Sequence, residues 1–174
     1  MPLPDVTLVL GGAASGKSAF AEKLAEGTGR PCVYIATAQA QDSEMAARIA
    51  HHRASRGRHW RTVEAPCDLR PALDSASGDE VLLIDCLTLW LSNHLLAEND
   101  PDKAPDALFD ALAVCAAPVI AVSNEVGLSV VPDNPLARRF RQAQGELNQH
   151  VAARAGLVIN VIAGLPQVLK GQLP

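Results

Sequence analysis

A chain of 174 residues with 48% hydrophobic and 20% charged side chains has the size of one globular domain, expected to span 1–174 and to bury a sizeable core. Fifteen Lys and Arg against nineteen Asp and Glu leave a net charge of −4, which argues against holding a phosphate polymer by general electrostatics. Aromatic residues make up only 3%, too few for base-stacking platforms, so no nucleic acid partner is expected.

Met1-Pro2-Leu3-Pro4-Asp5 leads into a strand-like segment without a basic n-region or a cleavable apolar stretch. No apolar run approaches the roughly 18 residues that a bilayer span needs, so the expectation is a cytoplasmic protein with no membrane partner. Short apolar, β-branched runs are predicted as strands at Val6–Leu10, Cys32–Thr37, Val81–Asp85, Val119–Ser123 and Leu157–Ile162. Helix-like stretches separate them: Ser18–Glu26, Met45–Arg56, Leu87–Glu98, Asp106–Ala117, and a long helix opening at Asn134-Pro135 and closing at Gly156. Gly145 is a weak point inside that last helix. Ala97–Pro105 reads as a surface connection. Continuous apolar strands alternating with helices predict a three-layer α/β fold with a mostly parallel central sheet flanked by helices.

Cys32, Cys67, Cys86 and Cys115 lie far apart and form no metal-ligand spacing. Three of them sit in or beside apolar segments as small hydrophobes; Cys67, after Pro66, is undecided.

Gly11-Gly12-Ala13-Ala14-Ser15-Gly16-Lys17-Ser18 fits G-x-x-x-x-G-K-[ST] between a predicted strand and a predicted helix, the context that makes a string match a P-loop. Its glycines let backbone N–H groups turn inward onto phosphate oxygens, and the positive end of the following helix adds to the cradle. Lys17 would bridge the phosphates, and the Ser18 hydroxyl would coordinate Mg²⁺. Val81–Asp85 ends in a carboxylate that would hold or orient the same ion, although a strand-end aspartate can equally form a turn or cap a helix. Thr88 is an alternative cap. Where a signalling GTPase would carry N-K-x-D, this chain reads Ser123-Asn124-Glu125-Val126. Arg138-Arg139-Phe140-Arg141 is the one basic cluster available for a kinase lid, and a solvated outer helix face explains it as well.

On a helix continuing from the Asp42–Arg53 segment, Arg48, His51, His52 and Ser55 share one polar face opposite Met45 and Ile49. A neutral imidazole facing an α-phosphate could displace pyrophosphate and become nucleotidylated, with Arg48 and Arg53 offsetting charge. By spacing alone, a solvated face accounts for the pair better.

The ordered set of blocks resembles the bifunctional adenosylcobinamide kinase and adenosylcobinamide-phosphate guanylyltransferase family of cobalamin biosynthesis, over nearly the whole chain. It comprises the P-loop, Tyr34-Ile35-Ala36-Thr37-Ala38, and Glu44–Ile49 with His51-His52. His59–Glu64, the Asp85 strand and Leu89–Asn93 follow, then Ser123–Gly127 and Val131–Arg138. The resemblance implies phosphorylation of the terminal hydroxyl of adenosylcobinamide by ATP or GTP. Transfer of GMP from GTP to adenosylcobinamide phosphate follows. It implies that the guanylyl group passes through His51, with His52 a neighbour of the nucleotide, and that Glu64 and Asp85 match acidic positions of the nucleotide site. Thr37 and Ala38 end the second strand, near where a ligand lies in such a sheet. A homo-oligomer is also implied. Family P-loops commonly read G-G-A-R-S-G-K-S, and Ala14 stands where that arginine would be. Two other readings rest on the P-loop alone: a small-molecule kinase without nucleotidyl transfer, and a nucleotide-binding regulatory module.

Overall fold

The computed structural model describes residues 2–39, 57, 59–97 and 104–174. The helix expected over Met45–Arg56, and with it His51, His52 and Arg53, lies outside the described residues. In chain order the elements are β1 (Val6–Gly11), α1 (Lys17–Glu26), β2 (Cys32–Ala36), β3 (Trp60–Glu64), α2 (Arg70–Asp74) and β4 (Val81–Asp85). Then come α3 (Leu87–Leu96), α4 (Ala104–Val114), β5 (Val119–Asn124), α5 (Pro135–Arg154), β6 (Leu157–Ile162) and β7 (Leu165–Lys170).

The strands form one sheet in the order β3-β2-β4-β5-β1-β6-β7, parallel except for β7, which returns antiparallel along β6. Parallel neighbours need crossovers, and the crossovers carry the helices to the two faces, so the inner strands are apolar on both sides. On one face Leu8, Ile35, Leu82, Ile84 and Ala121 pack against α2–α5 through Leu73, Trp90, Leu108 and Leu147. On the other, Val9, Tyr34, Leu83, Ile120, Val122 and Ile159 pack against Ala21 and Ala25 of α1. Small residues at that contact let α1 lie close to the sheet. Each leucine taken fully from water contributes about 2 kcal/mol, so these two layers are the main favourable term.

The five predicted strands are all present, with ends shifted by at most a residue. Two strands were not foreseen. Trp60–Glu64 carries Arg61 and Glu64 on its exposed positions, as an edge strand does, and so lacks a continuous apolar run. Leu165–Lys170 is exposed throughout and contains Pro166, which a sheet tolerates at its edge. The helix expected over Asp106–Ala117 instead spans Ala104–Val114. Pro105 fits a first turn, and Pro118 disfavours helical backbone at Ala117. Ala104 and Pro105 are therefore helical rather than part of a surface connection, and residues 98–103 lie outside the described residues. The Asn134-Pro135 signal is correct: Asn134 Oδ1 accepts from the N–H groups of Leu136 and Ala137, and the helix runs through Gly145 without interruption.

Candidate functional site

The P-loop lies at the C-terminal end of β1, between its last residue and the first turn of α1. Gly11 is required by space, since a Cβ there would meet Ser15 Oγ and stand 2.7 Å from the Val161 carbonyl oxygen. Gly16 turns the chain into α1 at φ 89°. Inside the loop, Ser15 N donates to Gly12 O at 3.3 Å, and Gly164 N donates to Ser15 O at 2.8 Å. The β6–β7 turn, with Ala163 at φ 52° and Gly164 at φ 78°, therefore buttresses the loop from outside. Gly12, Ala13 and Ala14 are exposed, so the concave side is open to a ligand. Ala14 adopts φ 55° with its methyl in solvent, so the absence of an arginine side chain leaves the cradle backbone intact.

Lys17 is only 9% exposed, and its ammonium donates to Gly12 O at 2.9 Å. A buried ammonium at the turn into α1 is a group whose charge a bound anion would offset. Ser18 follows in the first turn of α1, half-buried. Asp85 ends β4 on the α1 face of the sheet, where Tyr34 donates its hydroxyl to Asp85 Oδ2 at 3.0 Å. The competing capping roles are both absent. Cys86 occupies the N-cap of α3 without a side-chain cap, and Thr88 Oγ1 accepts from Asn124 N at 2.8 Å. The Ser18 hydroxyl and the Asp85 carboxylate are hard oxygen donors of the kind that Mg²⁺ takes together with substrate phosphates. Among the described residues, no cluster of three or more His, Cys, Asp or Glu could hold a metal by protein ligands alone.

Thr37 is fully buried, and its hydroxyl both donates to Cys86 O and accepts from Cys86 N at 2.8 Å. Its carbonyl accepts from Asn93 Nδ2, which also donates to Pro66 O. These bonds clamp the ends of β2 and β4 to α3 and to the chain after β3. Ala38 follows, half-buried, and Glu64 ends β3 exposed to solvent, paired in register with Ala36. P-loop, Asp85, Thr37, Ala38 and Glu64 thus all lie at the C-terminal ends of parallel strands, the edge where such sheets bind ligands. A cavity of about 690 Å³ opens at the opposite edge, lined among others by Glu26, Arg30, Cys32, His59, Trp60 and Glu80.

The basic cluster on α5 is not merely solvated. Arg138 Nη1 donates to the carbonyls of Pro132 and Asp133, and Arg141 Nη2 donates to Gly127 O at 2.6 Å. Both guanidiniums hold the segment that leaves β5. Sequence reasoning did not single out Tyr34, Asn93 or Asn148 as supports of the site. Their partners are distant in sequence; the blocks containing Tyr34 and Asn93 carry part of the family resemblance, whereas Asn148 lies in none.

The sequence matches the family described as cobinamide kinase / cobinamide phosphate guanyltransferase over residues 7–169. It is 50% identical over 168 residues to the bifunctional adenosylcobalamin biosynthesis protein CobP of Pseudomonas aeruginosa, covering 95% of this chain and 97% of that relative. The bifunctional adenosylcobalamin biosynthesis protein CobU of Salmonella typhimurium is 41% identical over 179 residues, covering 94% and 98%. In fold, the flagellar accessory protein FlaH of Methanocaldococcus jannaschii is similar with a TM-score of 0.56 at 14% identity, covering 99% of this chain and 80% of that one. An ATPase from a bacterial type III secretion system gives 0.57 at 12% identity, covering 97% of this chain and 57% of its own. The three-layer architecture is of the P-loop NTPase type. With the match spanning most of the sequence and two relatives aligned nearly end to end, the chain belongs to the cobinamide kinase / cobinamide phosphate guanyltransferase family.

Proposed function

We propose that this chain phosphorylates adenosylcobinamide with ATP or GTP and then transfers GMP from GTP to the resulting phosphate through His51, all within one domain spanning 1–174. The observation that carries the nucleotide chemistry is the buried Lys17 ammonium at the centre of the Gly11–Ser18 cradle, with the Asp85 strand on the same face. Backbone N–H groups of Gly11, Gly12, Ala13, Ala14, Ser15 and Gly16 hold the phosphates, and Lys17 offsets the charge that builds on the transferred group. Thr37, Ala38, Glu64, His52 and Arg53 complete the nucleotide site. When bound at Ser18 and Asp85, Mg²⁺ would supply charge neutralisation at the phosphate oxygens.

In the kinase step, the substrate hydroxyl attacks the γ-phosphorus, its proton is lost, and the nucleoside diphosphate leaves. In the transfer step, a neutral His51 nitrogen forms a bond to the α-phosphorus of GTP while the bond to pyrophosphate breaks. An oxygen of adenosylcobinamide phosphate then displaces the imidazole, so one difficult displacement becomes two. The resemblance singles out His51; residues 40–56 lie outside the described structure.

The test is incubation of the protein with Mg²⁺ and GTP labelled at the α- or the γ-phosphate, followed by intact-mass analysis beside His51→Ala. Retained α-label with a GMP mass increment, acid-labile and missing from the variant, is expected. Nucleotide binding without retained α-label would overturn the transfer step and leave a kinase or a nucleotide-binding module.

The protein is further proposed to act as a homo-oligomer. Supporting this, Leu128, Val130 and Val131 beyond β5 and Leu165 and Leu169 on the β7 edge expose more than half their surface.

A further inference from the structure

Asn124 is the last residue of β5, and its backbone is held on both sides by side chains from other elements. Thr88 Oγ1 accepts from its N–H at 2.8 Å, and Asn148 Nδ2 of α5 donates to its carbonyl at 3.0 Å. Asn148 is in turn fixed from below: Ser123 Oγ donates to its Oδ1 at 2.6 Å, and Gln144 Nε2 donates to both Ser123 Oγ and Asn148 Oδ1. Ser123 and Gln144 are fully buried. Buried hydrogen bonds linked in this way favour one arrangement, because breaking one strands its neighbours; Gln144 Oε1 is the network atom without a partner among the described residues.

The network also sets where the Asn124 side chain goes. Side chains alternate along a strand, and Ser123 faces α5, so Asn124 faces the opposite side. That is the side on which Ile120 and Val122 pack with Ala21 and Ala25 of α1, the helix that starts from the P-loop. In the sheet, β5 lies between β4 and β1. Asn124 pairs in register with Gly11, and Val122 pairs with Asp85. The carboxamide therefore stands between the phosphate cradle and the Asp85 carboxylate, where the far end of a triphosphate must lie if the cradle holds its nearer phosphates. Among the described residues, Asn124 Oδ1 is buried and has no hydrogen-bond partner. A half-turn of the terminal bond puts an N–H donor at that position, so an anion arriving there satisfies a group that is otherwise stranded.

We propose that the Asn124 carboxamide is a further nucleotide contact, donating to the terminal phosphate, and that Thr88 and Asn148 are positioning residues that fix it. This rests on the reading of Gly11–Ser18 as a triphosphate site but not on guanylyl transfer through His51.

The test compares dissociation constants for GTP and GDP, by titration calorimetry with Mg²⁺, in the wild type, Asn124→Ala, Asn124→Asp, Thr88→Val and Thr88→Ser. Asn124→Ala weakens GTP about tenfold, as expected for a lost hydrogen bond to a charged group, and leaves GDP within about twofold. The nearly isosteric Asn124→Asp, which keeps the packing, weakens GTP further by placing a carboxylate beside the phosphate. Thr88→Val shifts the GTP to GDP ratio in the same direction, and Thr88→Ser restores it. A GTP to GDP ratio unchanged in both Asn124 variants overturns the contact, because a purely structural role would weaken both nucleotides alike. Failure of the wild type to bind either nucleotide would instead remove the triphosphate reading itself.

Discussion

Cys32 and Cys86 are buried and Cys115 half-buried, and all four thiols are free. Burial, reinforced by the nearby Glu26 carboxylate, pushes the Cys32 thiol up to about 11. Burial raises Cys86 too, with Asp85 adding to the effect, and it raises Cys115. In the unfolded chain these thiols ionise near their ordinary value of 9.0, so above it the folded state holds more protons. The Cys32 contribution is whole below pH 9.0 and is lost as pH rises towards about 11, and those of Cys86 and Cys115 fall in the same direction. Urea midpoints should therefore fall between pH 9 and 11, with a shallower fall in Cys32→Ala; identical slopes would refute the Cys32 contribution. The core placement of Cys32 and Cys86 was legible from their apolar neighbours. That Cys86 N and O would both bond the Thr37 hydroxyl was not, because the two residues meet only when β2 and β4 pair.

At the scale of elements, legibility followed burial. β1, β2, β4, β5 and β6 are covered on both faces, and an apolar run is the direct imprint of that environment. The edge strands β3 and β7 carry no such imprint, since one long side of each has no strand partner among the described residues. Helix α5 was read from its cap: Asn134-Pro135 supplies a side-chain acceptor for the first free N–H groups and a fixed φ at the first helical position. Asn134→Ala should cost about 1 kcal/mol, seen as a lower urea midpoint with an unchanged slope. A cost near zero would mean that the cap is redundant with Arg138, which holds the Pro132 and Asp133 carbonyls just ahead of it. The five-residue α2, with Pro71 in its first turn, escaped because its apolar content is too short to show a period.

For the whole molecule, the net charge of −4 argues against broad electrostatic binding of a phosphate polymer, and among the described residues the buried Lys17 ammonium lies at the P-loop. No helix among the described residues is long and apolar enough to cross a membrane. The exposed apolar side chains on the β7 edge and beyond β5 make association of copies the expected state. Light scattering on the eluted protein should give a multiple of 18.3 kDa, and Leu165→Asp with Leu169→Asp should lower it; a wild-type mass of 18.3 kDa would contradict the proposal.

Local patterns written in short segments were legible in the sequence: the glycine-rich turn with Lys17 and Ser18, the Asp85 strand end, the cap of α5 and the apolar runs of the inner strands. Each depends on residues a few positions apart, and their spacing survives without the fold. The strand order could not be read, nor could the bonds of Tyr34 to Asp85, Asn93 to Thr37 and Pro66, or Thr88 and Asn148 to Asn124. These pairs are brought together by crossovers, and no local pattern encodes which distant strand end will become a neighbour.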